Sequence, residues 1–375
     1  MTTFSLMVRH NLSAGDDGEM DQFPPLRNLP DAFWEMILTR CPELSELTIC
    51  SFSPNTCTFD ITPLLSTSFS PSSSFSVSRD GTQFPRLASL TLGSFGYQSN
   101  FSLGPTHGPS FGDFLSHHPS LTYLRLLWNF RRWVSPDVVP MSLAPRSLPS
   151  LETFVGIYQQ LAQIPVEHRR TIETVDLTCE PVYEMRIDQV CEVLSPMTEL
   201  KCLDVWVHIV GDGRDNSEFF ERLVGACSKG LEELHFMCTT PFSKVRWCCF
   251  VFLGWIWCDV ACGCIQKSLG ELVKHLKGMP KLTRFSLTKG HRYRGDESMV
   301  ATAERVVRAC KQIKTVSVRW ARERCPNHLK QEGLYEVEDW GGGEGKVGVT
   351  LVVHERGIPI IGRPFERRYR RKIVF

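Results

Sequence analysis

The sequence predicts an α/β fold of the solenoid kind, with a curved parallel sheet on the concave face and helices on the convex face. Three observations predict it: a short apolar phrase that returns nine times, the spacing of its returns, and helical periodicity between them. The phrase is Leu-x-x-Leu-x-Leu or a close variant. Copies begin at Leu44 (with Leu47, Ile49), Leu87 (Leu90, Leu92), Leu121 (Leu124, Leu126), Leu151 (Phe154, then Gly156), Ile172 (Val175, Leu177), Leu200 (Leu203, Val205), Leu231 (Leu234, Phe236), Leu282 (Phe285, Leu287) and Ile313 (Val316, Val318). The last two apolar positions lie two apart, so in a strand both point to one face and the residue between them to the other. Five copies follow a proline, as in Cys-Pro-Glu-Leu44 and Met-Pro-Lys-Leu282. Proline cannot continue a helix, so each marks a stop before the strand.

Successive copies are 43, 34, 30, 21, 28, 31, 51 and 31 residues apart. A unit near 30 residues holds one strand, one helix and two connections, and buries its apolar face only by stacking on a neighbour. Helices are expected at Asp31 to Arg40, Phe111 to His117, Met185 to Leu194, Ser217 to Cys227, Leu269 to Lys277 and Ser298 to Ile313. Phe219, Phe220, Leu223 and Val224 carry the 3.6-residue spacing in one of them. A doubly wound α/β domain also alternates strand and helix, but it does not require the same wording in every strand.

Residues 1–30 read as an irregular segment and 31–320 as the repeat array. The long first interval holds a serine-rich stretch, Ser66 to Ser78, inside an expected loop insertion over 51–83. The 51-residue interval holds Val245 to Gln266, 22 residues with 5 of the 15 cysteines and 3 of the 9 tryptophans. Without them that interval is 29 residues, an ordinary repeat. Three readings compete with a plain hydrophobic insertion: a zinc site, against which the cysteines lack Cys-x2-Cys pairing; a membrane segment, interrupted by Asp259; and a translated intron. The intron reading leads, because removal keeps the frame and restores the period. Transcripts across codons 244–267 separate these readings. Leu334 to Trp340 and Lys346 to His354 alternate apolar and polar residues around a glycine-rich turn, and predict a β-hairpin cap within 321–362. The remainder, 363–375, reads as a solvated basic tail, with Arg363, Arg367, Arg368, Arg370, Arg371 and Lys372.

At 42% hydrophobic and 22% charged residues the chain is globular rather than disordered. A net charge of +1 argues against a general polyanion-binding surface, so no nucleic-acid partner is expected. No secretory signal opens the sequence, and a cytoplasmic or nuclear protein is expected, its cysteines outside the insert acting as small buried hydrophobes. No cofactor or metal is expected. Gly345-Lys346 lacks the Ser or Thr of a phosphate loop, and Asp212 to Glu218 has the wrong spacing for calcium, reading better as a helix start at Asn216 or Ser217. No nucleophile elbow or zinc-protease helix occurs, so the chain is not expected to be an enzyme.

Cys-Pro-Glu-Leu-Ser-Glu-Leu-Thr-Ile, Phe-Pro-Arg-Leu-Ala-Ser-Leu-Thr-Leu and Met-Pro-Lys-Leu-Thr-Arg-Phe-Ser-Leu resemble the irregular leucine-rich repeats of fungal F-box proteins, over roughly residues 30–320. The resemblance implies a leucine-rich-repeat solenoid and a substrate-recognition role beside SCF-type ubiquitin ligases. The phrase nearest an F-box, Asn28 to Leu38, runs straight into the first repeat at Cys41. No length remains for the two further helices, so docking to the ligase adaptor is not expected.

The fold also places a binding surface, since residues beside the core positions face away from the helices. Aromatic residues and arginine anchor protein interfaces, which selects Tyr123, Arg125, Trp206, His235, Arg284 and Arg319, with Asp176 and Asp204 as charge partners. The expected function is a non-catalytic protein-interaction scaffold. The alternative is a membrane-associated repeat protein anchored through 245–266.

Overall fold

The computed structural model describes residues 1–8, 29–51, 59–65, 84–93, 95–96, 111–127, 141, 143–208, 216–227, 229–238, 269–290, 298–322, 325–343, 346–357 and 364–374. The serine-rich stretch and the 245–266 insert lie outside them. The chain forms two compact units, Met1–Cys179 and Glu180–Phe375.

The first unit holds β1 (Thr3–Val8), β2 (Glu46–Ser51), β3 (Phe59–Asp60), β4 (Ser89–Gly93), β5 (Phe95–Gly96), β6 (Tyr123–Leu127), β7 (Thr153–Val155) and the start of β8 (Thr174–Tyr183). Strands β1, β2, β4, β6, β7 and β8 pair in that order, all parallel. The register runs from repeat to repeat: Leu47 lies beside Leu90, Leu90 beside Leu124, Leu124 beside Phe154, and Phe154 beside Val175. The first apolar residue of a copy donates its amide to the carbonyl three residues back, closing a turn, as Leu44 does to Cys41 and Leu121 to His118. One carbonyl in each strand entry then accepts two amides of the next: Thr2 from Ser45 and Glu46, Ser45 from Ala88 and Ser89, Ala88 from Thr122 and Tyr123, Thr122 from Glu152 and Thr153.

The fourth copy breaks the phrase, and packing explains why. A Cβ on Gly156 would lie 2.7 Å from Phe154 Cζ and 2.8 Å from Gln160 Oε1. Phe154 and Gln160 are both buried, so the large ring two residues earlier occupies the room a third leucine would need. Phe84 and Leu148, each directly before a proline, hold φ of 52° and 59°. Bulky residues rarely sit in that left-handed region; here both side chains are buried, and that burial offsets the strain.

The second unit continues with β9 (Cys202–His208), β10 (Glu233–Cys238), β11 (Arg284–Gly290) and β12 (Thr315–Arg322), again parallel and in sequence order, followed by antiparallel β13 (Cys325–Gly343), β14 (Lys346–Gly357) and β15 (Phe365–Val374). Leu203, Leu234, Phe285 and Val316 share one register row, and Val205, Phe236, Leu287 and Val318 the next. All are buried. Helices Ile187–Leu194, Ser217–Ala226, 269–276 and Met299–Ala309 supply the opposing layer: Phe220 meets Phe236 at 5.8 Å between ring centres, and Gln312 donates to the carbonyls of Leu276 and Met279 at the end of the preceding helix.

Several expectations are corrected. Residues 1–30 are not wholly irregular, since Thr3–Val8 is strand β1 beside β2; it was hidden because it lacks the leucine phrase. The 363–375 stretch is not simply a tail, because Phe365–Val374 pairs along β14. The last helix ends at Ala309 rather than Ile313, where the chain turns into its strand, and Ser298 Oγ caps its start by accepting from the Ala301 amide at 3.2 Å. Asn216 occupies the N-cap position of its helix but makes no side-chain cap bond. The expected hairpin is present as β13 and β14, and a third strand follows it. On its helix-side face Tyr335 donates to the buried Glu355 carboxylate at 2.6 Å.

Candidate functional site

The candidate surface is the sheet face opposite the helices, taken unit by unit. Strand β9 states its logic: Leu203, Val205 and Val207 are buried, while Cys202, Asp204, Trp206 and His208 alternate with them and stay partly open.

In the first unit, Tyr123 and Arg125 stand two apart on β6, both half-buried. Tyr123 lies between Ser89 and Thr153, and Arg125 between Thr91 and Val155. Arg125 Nε is shielded from solvent and has no acceptor among the described residues. Its charge reaches Cys50, whose thiol is pushed up by burial and drawn partly back by the guanidinium. Asp176 is held along its own strand: its Oδ1 accepts from the Thr178 amide at 2.8 Å and hydroxyl at 2.6 Å.

In the second unit the charged candidates have partners on neighbouring strands. His235 Nδ1 lies 3.6 Å from Asp204 Oδ1, and its Nε2 lies 2.9 Å from Thr288 Oγ1. Arg284 pairs with Glu233, directly opposite in the register. Arg319 Nε reaches Glu332 Oε1 at 3.1 Å, and Arg356 holds the other oxygen of the same carboxylate at 2.8 Å. Burial alone would raise the Glu332 pKa, but hydrogen bonds and charge from Arg356 and Arg319 take it below the usual carboxylate range. These are cross-strand pairs of the kind that stabilise sheets. Trp206 stands half-buried on the same face, beside Met237 in the register.

All eight candidate residues lie on strands, from β6 to β12, and sequence reasoning did not anticipate Glu332, Arg356 and Thr288 as partners. Glu332 could have been found only by pairing the hairpin onto β12, where it falls opposite Arg319.

Among the described residues no three His, Cys, Asp or Glu side chains gather as a metal-holding group. Burial pushes the Cys227 thiol up to about 12, with Cys191 nearby adding to the shift, and burial takes the Cys310 thiol to about 11. Neither supplies a thiolate at neutral pH. Among the described residues no helix is long and apolar enough to cross a membrane.

No family model matches the chain, and no curated protein matches it significantly. Among solved structures it is similar to the leucine-rich repeat-containing protein LegL7 from Legionella pneumophila, at 11% identity and a TM-score of 0.34, over 84% of this chain and 91% of that one. So loose a likeness carries no weight, and the repeat assignment rests on the strand register.

Proposed function

We propose that this chain is a non-catalytic protein-interaction scaffold whose partner docks on the sheet face opposite the helices. The observation that supports the reading is the arrangement around Trp206. Trp206 lies beside Met237, with the Asp204–His235 contact on the neighbouring row, while Arg319 and Glu332 lie three and four strands away along its own row. An apolar anchor beside satisfied polar groups is how interface hot spots are built. In the first unit Tyr123 and Arg125 are the anchors, an aromatic and a guanidinium two apart on the half-buried side of one strand. Arg284 and Arg319 are secondary, since each already holds a carboxylate. In this reading the antiparallel strands β13 to β15 cover the edge of the last parallel strand, β12, and leave β15 as the outer strand in its place. Substrate recognition of the F-box repeat kind is a further step, supported by the repeat wording alone.

The test is cross-linking and affinity purification with the whole chain, comparing Trp206→Ala, the double variant Tyr123→Ala with Arg125→Ala, and Arg284→Ala. The first two should each weaken the principal partner about thirtyfold, a loss of about 2 kcal/mol, and Arg284→Ala markedly less. Undiminished capture by both of the first two variants, with circular dichroism unchanged, would remove the proposed face from consideration.

A further inference from the structure

Strand β15 ends the second unit's sheet, and among the described residues no strand pairs with its other edge. Its backbone therefore presents a row of unpaired amides and carbonyls, ready to accept another strand. The side chains flanking that row are sorted. On one face stand Glu366, Arg368, Arg370 and Lys372, opposite Arg356, His354, Val352 and Thr350 of β14. On the other face Tyr369 lies beside buried Val353, which in turn lies beside buried Tyr335. Tyr369 thus carries that inner apolar row to the open edge, where it is 37% exposed. Arg367 and Arg371 flank it, the first over the Phe365 ring at 4.7 Å and the second paired with Glu304.

Among the described residues the five cations of this strand, Arg367, Arg368, Arg370, Arg371 and Lys372, stand against four carboxylates: Glu304, Glu338 and Glu366 in ion pairs and Glu355 opposite Arg367. The edge keeps a positive surplus. Most of these ion-pair side chains are well exposed, and exposed pairs of this kind contribute so little that their arginines can exchange partners. A second copy of the chain would bring the same cations against themselves and be repelled.

We infer that the β15 edge takes up an extended acidic segment of a partner protein by strand addition, with acidic residues at every second position facing Arg368, Arg370 and Lys372, and apolar residues between them packing against Tyr369. Backbone pairing supplies the affinity, and the two faces of the strand select the sequence. This site is separate from the Trp206 face, and either can fail without the other.

The experiment measures fluorescence anisotropy of a ten-residue peptide alternating glutamate and valine, titrated with the whole protein. Three peptides serve as comparisons: the same composition with the alternation scrambled, a lysine-valine version, and a glutamate-valine version N-methylated at every second amide. The alternating acidic peptide should bind, and each comparison should bind at least about tenfold more weakly. The double variant Arg368→Glu with Arg370→Glu should exchange the preference and take the lysine-valine peptide, which also shows that the variant is folded. Equal binding of the N-methylated or scrambled peptide would overturn strand addition, because it would leave charge alone at work. Tighter binding of a single-stranded RNA oligonucleotide than of the peptide would overturn the choice of partner.

Discussion

Gly156 should be intolerant of leucine, although the other eight copies carry a large apolar residue at that place and four of them carry leucine itself. Changing it to Leu restores the wording of the repeat, yet a Cβ there already falls 2.7 Å from Phe154 Cζ and 3.1 Å from its Cε1. Phe154 is fully buried, so its ring cannot swing into solvent, and overpacking of this kind costs roughly 1–3 kcal/mol. Changing Phe154 to Leu alone removes ring atoms and leaves space unfilled, at a cost on the order of 1–2 kcal/mol. Made together, the two changes exchange volume within one site and bring it closer to the other repeats. The double variant should therefore lose at least about 1 kcal/mol less than the two single losses combined, a coupling typical of residues in contact. Urea unfolding followed by circular dichroism reads all four proteins, and at slopes of about 1–3 kcal/mol per molar a 2 kcal/mol loss moves the midpoint by about 1 M. If Gly156→Leu alone is as stable as the parent, or the double variant shows simple additivity, the account of the broken fourth copy is wrong.

Two further outcomes are expected. Leu203→Ala and Leu234→Ala each empty a buried position on adjacent strands of one register row and should each cost about 2–5 kcal/mol; unchanged thermal unfolding in both would refute the core assignment. Glu332 tests the charge network by pH. A carboxylate whose folded-state pKa lies below its unfolded one adds stability above the unfolded value and loses it as pH falls through the folded value. With Glu332 held below the ordinary 4.5, the stability gap between the parent and Glu332→Gln should be full at pH 7 and shrink in acid below that value. A gap that stays constant down to pH 3 would show that Arg319 and Arg356 do not act through the charge of Glu332.

Where the sequence was legible, it was so because burial repeats. Leu47, Leu90, Leu124 and Val175 announce themselves by spacing, and the same spacing fixes which residues look away from the helices, so Tyr123, Arg125, Asp204, Trp206 and His235 could be placed before any coordinates. Partnership was not legible. Glu233 and Arg284 are neighbours only because their strands pair across a 51-residue interval, and Arg319 meets Glu332 only because β13 doubles back on β12. Edge strands escaped for a related reason. With a strand paired on only one flank among the described residues, β1 and β15 need less apolar patterning, and in β15 the arginines mask the alternation of Phe365, Tyr369 and Ile373.

The double use of single carbonyls at the strand entries has a consequence for how such a chain can change over time. Because Ser45, Ala88 and Thr122, and later Lys201, Glu232 and Thr283, each receive two amides of the next strand, alignment is handed on at the point of entry and does not depend on the length of chain between. Connections can therefore grow or shrink by whole segments, as the spread from 21 to 51 residues records, with each indel absorbed outside the ladder. What cannot drift is parity: a single residue added between an entry turn and its strand would turn every apolar side chain of that strand to water. Such a lineage is free to vary its loops widely while its strand entries remain fixed.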